Sequence, residues 1–170
     1  TLFLSLQSCV EEEKDKFPDS AANRMTAELN RINEILQGAP NGWLMEYYAE
    51  EDPAILGGIN FIVSFENGIA SIATETSHTD YPPGTVVESE YQMRSDQGPV
   101  LSVNTYNQLL HYWSNPSQSD VNGFSGDYEF VVMSAEPNRI EMVGKKHGKK
   151  ILMTALEQDV NWTSYLDDVI

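Results

Sequence analysis

Gly58-Ile59-Asn60-Phe61-Ile62-Val63-Ser64-Phe65-Glu66, then Asn67-Gly68, then Ile69-Ala70-Ser71-Ile72-Ala73-Thr74-Glu75 is the stretch that decides the fold. Ile59, Phe61, Val63 and Phe65 recur at every second position, the period of a strand with one buried face. Asn67 and Gly68 tolerate the positive φ of a two-residue type I′ turn, so 58–66 and 69–75 are expected to form a hairpin. That register sets Phe65 beside Ala70 and Val63 beside Ile72, and the apolar faces agree across the turn.

The same alternation recurs on either side. Trp43, Met45 and Tyr47 alternate with Leu44, Glu46 and Tyr48, both sets partly apolar, so the inward face of this first strand stays open. Val87, Ser89, Tyr91 and Met93 share one face of a later strand, and Leu101 and Val103 one face of the next. Tyr128, Phe130 and Val132 follow, then Ile140 and Met142, and the last strand runs from Ile151 to Leu156. Turn residues punctuate the series: Pro82-Pro83-Gly84, Asp96-Gln97-Gly98-Pro99, Ala135-Glu136-Pro137-Asn138 and the lysine-rich tip Lys145–Lys150. About eight short strands joined by turns predict a mainly β chain, an antiparallel meander closing into a calycin- or lipocalin-like barrel. A two-layer β-sandwich is the alternative. Closure removes exposed strand edges, and an isolated hairpin would not persist in water.

Two helical segments interrupt the pattern. Ser20 can cap a helix with Ala22, Met25, Leu29, Ile32 and Leu36 along one stripe, ended by Gly38 and Pro40. Tyr106, Leu109, Leu110 and Trp113 fall at helical spacing before Asn115-Pro116. A third helical spacing, Trp162, Tyr165, Leu166 and Val169, reads either as the start of a further segment or as a short helix docked on the barrel.

The chain has 170 residues, 26 acidic against 10 basic, for a formal net charge of −16. Such a surface repels phosphate backbones, so no nucleic-acid partner is expected. The single cysteine, Cys9, permits no intrachain disulfide. An apolar run and a small residue ahead of it (Leu2-Phe3-Leu4-Ser5-Leu6-Gln7-Ser8) resemble the tail of a bacterial lipoprotein signal peptide, with Cys9 the lipidated residue. An ordinary strand or helix start is the other reading of that run. Val10-Glu11-Glu12-Glu13-Lys14-Asp15-Lys16 cannot form a core and reads as an acidic tether. The expected organisation is a signal-peptide remnant at 1–8, a lipidated tether at 9–19, the barrel domain at 20–156 and a helical segment at 157–170.

Taken together, Leu6 to Cys9, Asn41-Gly42-Trp43-Leu44-Met45-Glu46-Tyr47-Tyr48, Thr105-Tyr106-Asn107-Gln108-Leu109-Leu110-His111-Tyr112 and Gly126-Asp127-Tyr128-Glu129-Phe130-Val131-Val132-Met133 give the chain a family look. It resembles a domain-of-unknown-function family of Bacteroidetes lipoproteins, from Cys9 to Leu156. The resemblance implies attachment at the outer membrane or cell surface through the lipid on Cys9, and an additional C-terminal region. It carries over no catalytic residue.

Candidate chemistry is sparse. His78, His111 and His147 share no metal-ligand spacing, and no Gly-x-Ser-x-Gly elbow is present, so no catalytic residue is assigned. Paired carboxylates, as in a glycoside hydrolase, leave an enzyme as the third reading. Asp120, Asn122 and Asp127 offer oxygens around Gly123 and Gly126 and could hold calcium, although turn-forming residues produce the same string; no other cofactor is expected. Tyr106, Tyr112, Trp113, Phe124 and Tyr128 could stack on sugar faces while Asn107, Gln108 and His111 bond hydroxyls; the alternative is that these side chains fill or cover the barrel. The leading expectation is a lipid-anchored, non-enzymatic surface module binding a ligand, plausibly a glycan. A structural or assembly lipoprotein with another envelope protein as partner is the second.

Overall fold

A computed structural model describes residues 20–49, 57–75, 80–116, 121 and 123–169. Cys9, the tether, His78, Asp120 and Asn122 lie outside the described residues. Eight antiparallel strands close into one barrel: β1 (Trp43–Tyr47), β2 (Ile59–Glu66), β3 (Ile69–Thr74), β4 (Val87–Ser95), β5 (Pro99–Val103), β6 (Glu129–Glu136), β7 (Arg139–Gly144) and β8 (Lys150–Ala155). Each strand pairs with the next in sequence, and β1 pairs back onto β8 from Trp43↔Ala155 to Glu46↔Leu152, which rules out the sandwich.

The central hairpin has the register its turn dictates, with Phe65 opposite Ala70 and Val63 opposite Ile72. Asn67 and Gly68 sit at φ 49° and 81°, the two positive values a type I′ turn needs. Phe61, Tyr91 and Phe130 belong to one buried cluster, together with Trp43, Met45 and Tyr47, so β1 turns its Trp43 face inward. Burying each of these large side chains contributes about 1.5–3 kcal/mol, which is why the ribbon closes. The interior is filled: among Met45, Phe61, Phe65, Leu101 and Phe130 there remains a void of only about 10 Å³, no more than a single water needs. This barrel therefore lacks the internal ligand chamber that some eight-stranded barrels keep.

Both ends are plugged. The helix α1 (Ala21–Gly38) begins at Ser20, whose hydroxyl accepts the Asn23 N–H at 3.2 Å, and buries Ile32 and Leu36. Trp43 Nε1 donates to the Leu36 carbonyl at 2.9 Å, Tyr91 Oη to Asn33 Oδ1 at 2.9 Å, and Arg31 to the Ala135 carbonyl at 3.0 Å. These bonds fix α1 across the end that carries the β2–β3 and β6–β7 turns. The connection from β5 to β6 covers the other end with Leu109, Leu110 and Trp113, all within the core cluster. Its helical stretch is a single 3₁₀ turn, His111–Ser114, shorter than the spacing of Tyr106 to Trp113 predicts. The short helix α2 (Trp162–Asp168) docks on the outside of the barrel. Leu166 packs there on Ile62 and Ala73, which face each other across β2 and β3. No helix among the described residues is long and apolar enough to cross a membrane.

Candidate functional site

Asn107 organises the β5–β6 connection. Its Oδ1 accepts the N–H groups of Leu109 and Leu110 at 3.0 and 3.1 Å, while Nδ2 donates to the Val87 carbonyl and to Ser89 Oγ. Its backbone N–H donates to His111 Nδ1 at 3.1 Å. All four amide capacities of a fully buried side chain are engaged within the fold. Asn107 is thus a structural strut, correcting the expectation that it bonds a ligand. Trp113 is corrected likewise: at 1% exposure it is part of the core, driven there by its large apolar area. Phe124 stacks on Tyr112 at 5.8 Å and meets Trp113 edge-on at 5.5 Å, shielding the tryptophan from solvent.

Tyr106 and His111 do reach a common cleft of about 640 Å³, which also involves Ser114, Asn115, Tyr128, Glu129, Lys145 and Lys146. His111 is sandwiched between two tyrosines, its ring stacked on Tyr128 at 4.4 Å and tilted against Tyr106 at 5.1 Å. Both tyrosines remain exposed, at 54% for Tyr106 and 41% for Tyr128. Asn115 Nδ2 donates to Tyr106 Oη at 2.6 Å, which fixes the ring at the rim. Burial holds the His111 pKa below its ordinary value. The neutral ring has Nδ1 as acceptor, so its proton sits on Nε2.

Two carboxylates line the cleft, and both are engaged. Asp127 accepts the backbone N–H of Lys146 on Oδ1 at 2.8 Å and that of His147 on Oδ2 at 3.1 Å, tying the β7–β8 turn to the β5–β6 connection. Of the oxygens proposed for calcium, those of Asp127 point at amides, while Asp120 and Asn122 lie outside the described residues; among the described residues no group of three acidic, histidine or cysteine side chains has metal-binding geometry. Glu129 is held by Arg94, by Ser102 Oγ at 3.1 Å and by Lys145 Nζ at 3.2 Å. Burial pushes its carboxyl up, but the Lys145 and Ser102 hydrogen bonds and the nearby charges outweigh that and hold it below the ordinary carboxylate value. Lys145 also meets Asp96, at 2.5 Å.

Sequence pattern gives no sign of Asn115 and does not join Lys146 to the aromatics. Tyr128 shares its parity with the buried Phe130 and Val132, yet it precedes the first paired residue of β6 and so lies beyond the barrel rim. Lys146 comes from a hairpin tip distant in sequence from the aromatics, and only closure of the barrel brings them together. The crowding of lysines at that tip was the available signal.

No curated protein matches this chain, and no solved structure does. A family model described as Domain of unknown function (DUF4302) matches residues 13–170, almost the whole sequence, and the chain belongs to that family.

Proposed function

We propose that this chain is a surface lipoprotein of a Bacteroidetes-type bacterium, anchored through Cys9, whose barrel presents a non-enzymatic saccharide-binding cleft. The observation that carries the reading is the Tyr106–His111–Tyr128 array, with open ring faces along a cleft of about 640 Å³ outside a filled barrel. Exposed aromatic rings give an apolar platform for the C–H face of a pyranose. The His111 Nε2–H, the Asn115 amide and the tyrosine hydroxyls supply bonds for its hydroxyl groups. Glycoside hydrolysis needs one carboxyl kept protonated as acid. Glu129 is instead held ionised by its partners, and both Asp127 carboxylate oxygens are taken up by backbone amides, which favours binding without turnover.

Glycan-array screening of the chain, followed by calorimetry on the best saccharide, tests this. Tyr106→Ala combined with Tyr128→Ala should abolish that binding while leaving the melting temperature nearly unchanged, because both rings are exposed. Absence of any saccharide partner, or binding indifferent to the double variant, removes the reading. Anchoring is tested separately: Cys9→Ser in the full precursor should release the protein from membranes, and persistent attachment would contradict a lipid on Cys9.

A second reading, docking to another envelope protein, draws on the outer face of β6–β8. A register shift between Val132 and Ser134 bulges β6 there and leaves Met133 65% exposed. It shares a groove of about 490 Å³ with Tyr48, Val143 and Leu152. Met133→Glu should block co-purification of a membrane partner if that face is used.

A further inference from the structure

The cleft is unusual in its balance of hydrogen-bonding groups. Its carboxylates are engaged internally: Asp127 by two backbone amides, and Glu129 by Arg94, Ser102 and Lys145. Donors line the cleft as well: the His111 ring with its proton on Nε2, the tyrosine hydroxyls and the ammonium group of Lys146. Lys146 uses its backbone N–H on Asp127, while its exposed side chain lines the cleft beside Tyr128. A chain of net charge −16 with only ten basic residues has gathered four of them, Lys145, Lys146, Lys149 and Lys150, on this one hairpin. Lys145 is committed to Asp96 and Glu129, and Lys149 donates to the Ala49 carbonyl at 3.0 Å. Among the described residues the Lys146 ammonium group has no such partner. A cleft whose carboxylates are engaged and which exposes the Lys146 ammonium group offers an acceptor-rich ligand a local partner in a molecule that otherwise repels anions.

We infer that the ligand class of this cleft is an acidic saccharide, its pyranose ring on Tyr106 and Tyr128 and its carboxylate or sulfate group on Lys146 and His111 Nε2–H. The inference rests on the saccharide reading above and adds the charge. Nonspecific attraction cannot imitate it, since the rest of the surface is negative.

Calorimetric titration of the full chain with three oligosaccharides of matched length, a neutral glucan, an oligogalacturonate and a sulfated galactan, separates the possibilities. The acidic probes should bind more tightly than the neutral one, and more weakly as salt is raised. Lys146→Glu should weaken acidic-probe binding about tenfold to a hundredfold, the range of a charge-assisted hydrogen bond, without altering the melting temperature. Binding of the galacturonate alone assigns a carboxylate, and binding of the sulfated probe alone a sulfate ester. If the neutral glucan binds as well as the acidic probes, or Lys146→Glu changes nothing, the charge inference is overturned while the saccharide reading stands. If acidic probes bind but ignore Tyr106→Ala and Tyr128→Ala, stacking is wrong and both fall. Failure of all three probes overturns both as well.

Discussion

The Tyr47 hydroxyl accepts the Asp127 N–H at 2.7 Å and donates to the Asp127 carbonyl at 3.0 Å, so one buried oxygen satisfies both backbone groups of a single residue. Burial pushes the phenol well above its ordinary pKa, so it stays protonated and can donate. Gly126 makes room for it: a Cβ there would sit 2.5 Å from the Tyr47 oxygen and 2.6 Å from Trp113 Cβ. Tyr47→Phe removes the bridge without changing ring packing and strands a buried amide and carbonyl. It should cost about 1–3 kcal/mol, read by chemical denaturation. His111 yields a second residue-scale expectation. Its folded pKa lies below the ordinary value of 6.5, so the unfolded chain binds more protons as pH falls through that range. Stability from this group is therefore intact above about 6.5 and declines on acidification towards the depressed folded value. The stability–pH profile of His111→Gln should be flatter there; an unchanged profile would mean that His111 is not held neutral. At this scale the sequence was only partly legible. Tyr106 and His111 could be read as site residues, but Asn107 and Trp113 carry the same residue chemistry and differ only in burial. Burial is decided by contacts far away in the chain.

At the level of elements, alternation together with turn residues identified the strands of the barrel, and the Asn67-Gly68 turn set the register of its central hairpin. Period two is a direct consequence of pleating, so a strand with one buried face advertises itself. What alternation could not give was the inward face of β1, since Leu44 and Tyr48 blur it. The structure resolves this: Leu44 packs under α2, and the Trp43 face fills the core. The same logic explains an anomaly in β2 and β3, where Ile62 and Ala73 are apolar on the outward face. They are buried because α2 covers them with Leu166, while Trp162 Nε1 donates to the Asn41 carbonyl at 3.0 Å. Leu166→Ala should therefore cost about 2–5 kcal/mol, like a core truncation, and thermal unfolding would show it. A shift near zero would mean that α2 contributes nothing to the barrel.

For the whole molecule, closure into a barrel was foreseeable from the count of strands, but the state of its interior was not. Strand parity says which side chains point inward, whereas their combined volume against the space available depends on strand tilt and on what plugs the ends. Here α1 and the β5–β6 connection leave about 10 Å³ inside. The proposed binding cleft lies not in the barrel's middle but at its rim, where the β5–β6 connection and the β7–β8 turn converge on Tyr106, His111, Tyr128 and Lys146. Neither segment contains the cleft by itself, which is why no linear motif announced it. The most direct test is a saccharide titration of isotope-labelled protein followed by nuclear magnetic resonance. Signals of His111, Tyr106, Tyr128 and Lys146 should move together and saturate, while those of Phe61 and Phe130 inside the barrel stay put. Saturable shifts centred on the interior residues, or on a face away from the rim, would contradict the account.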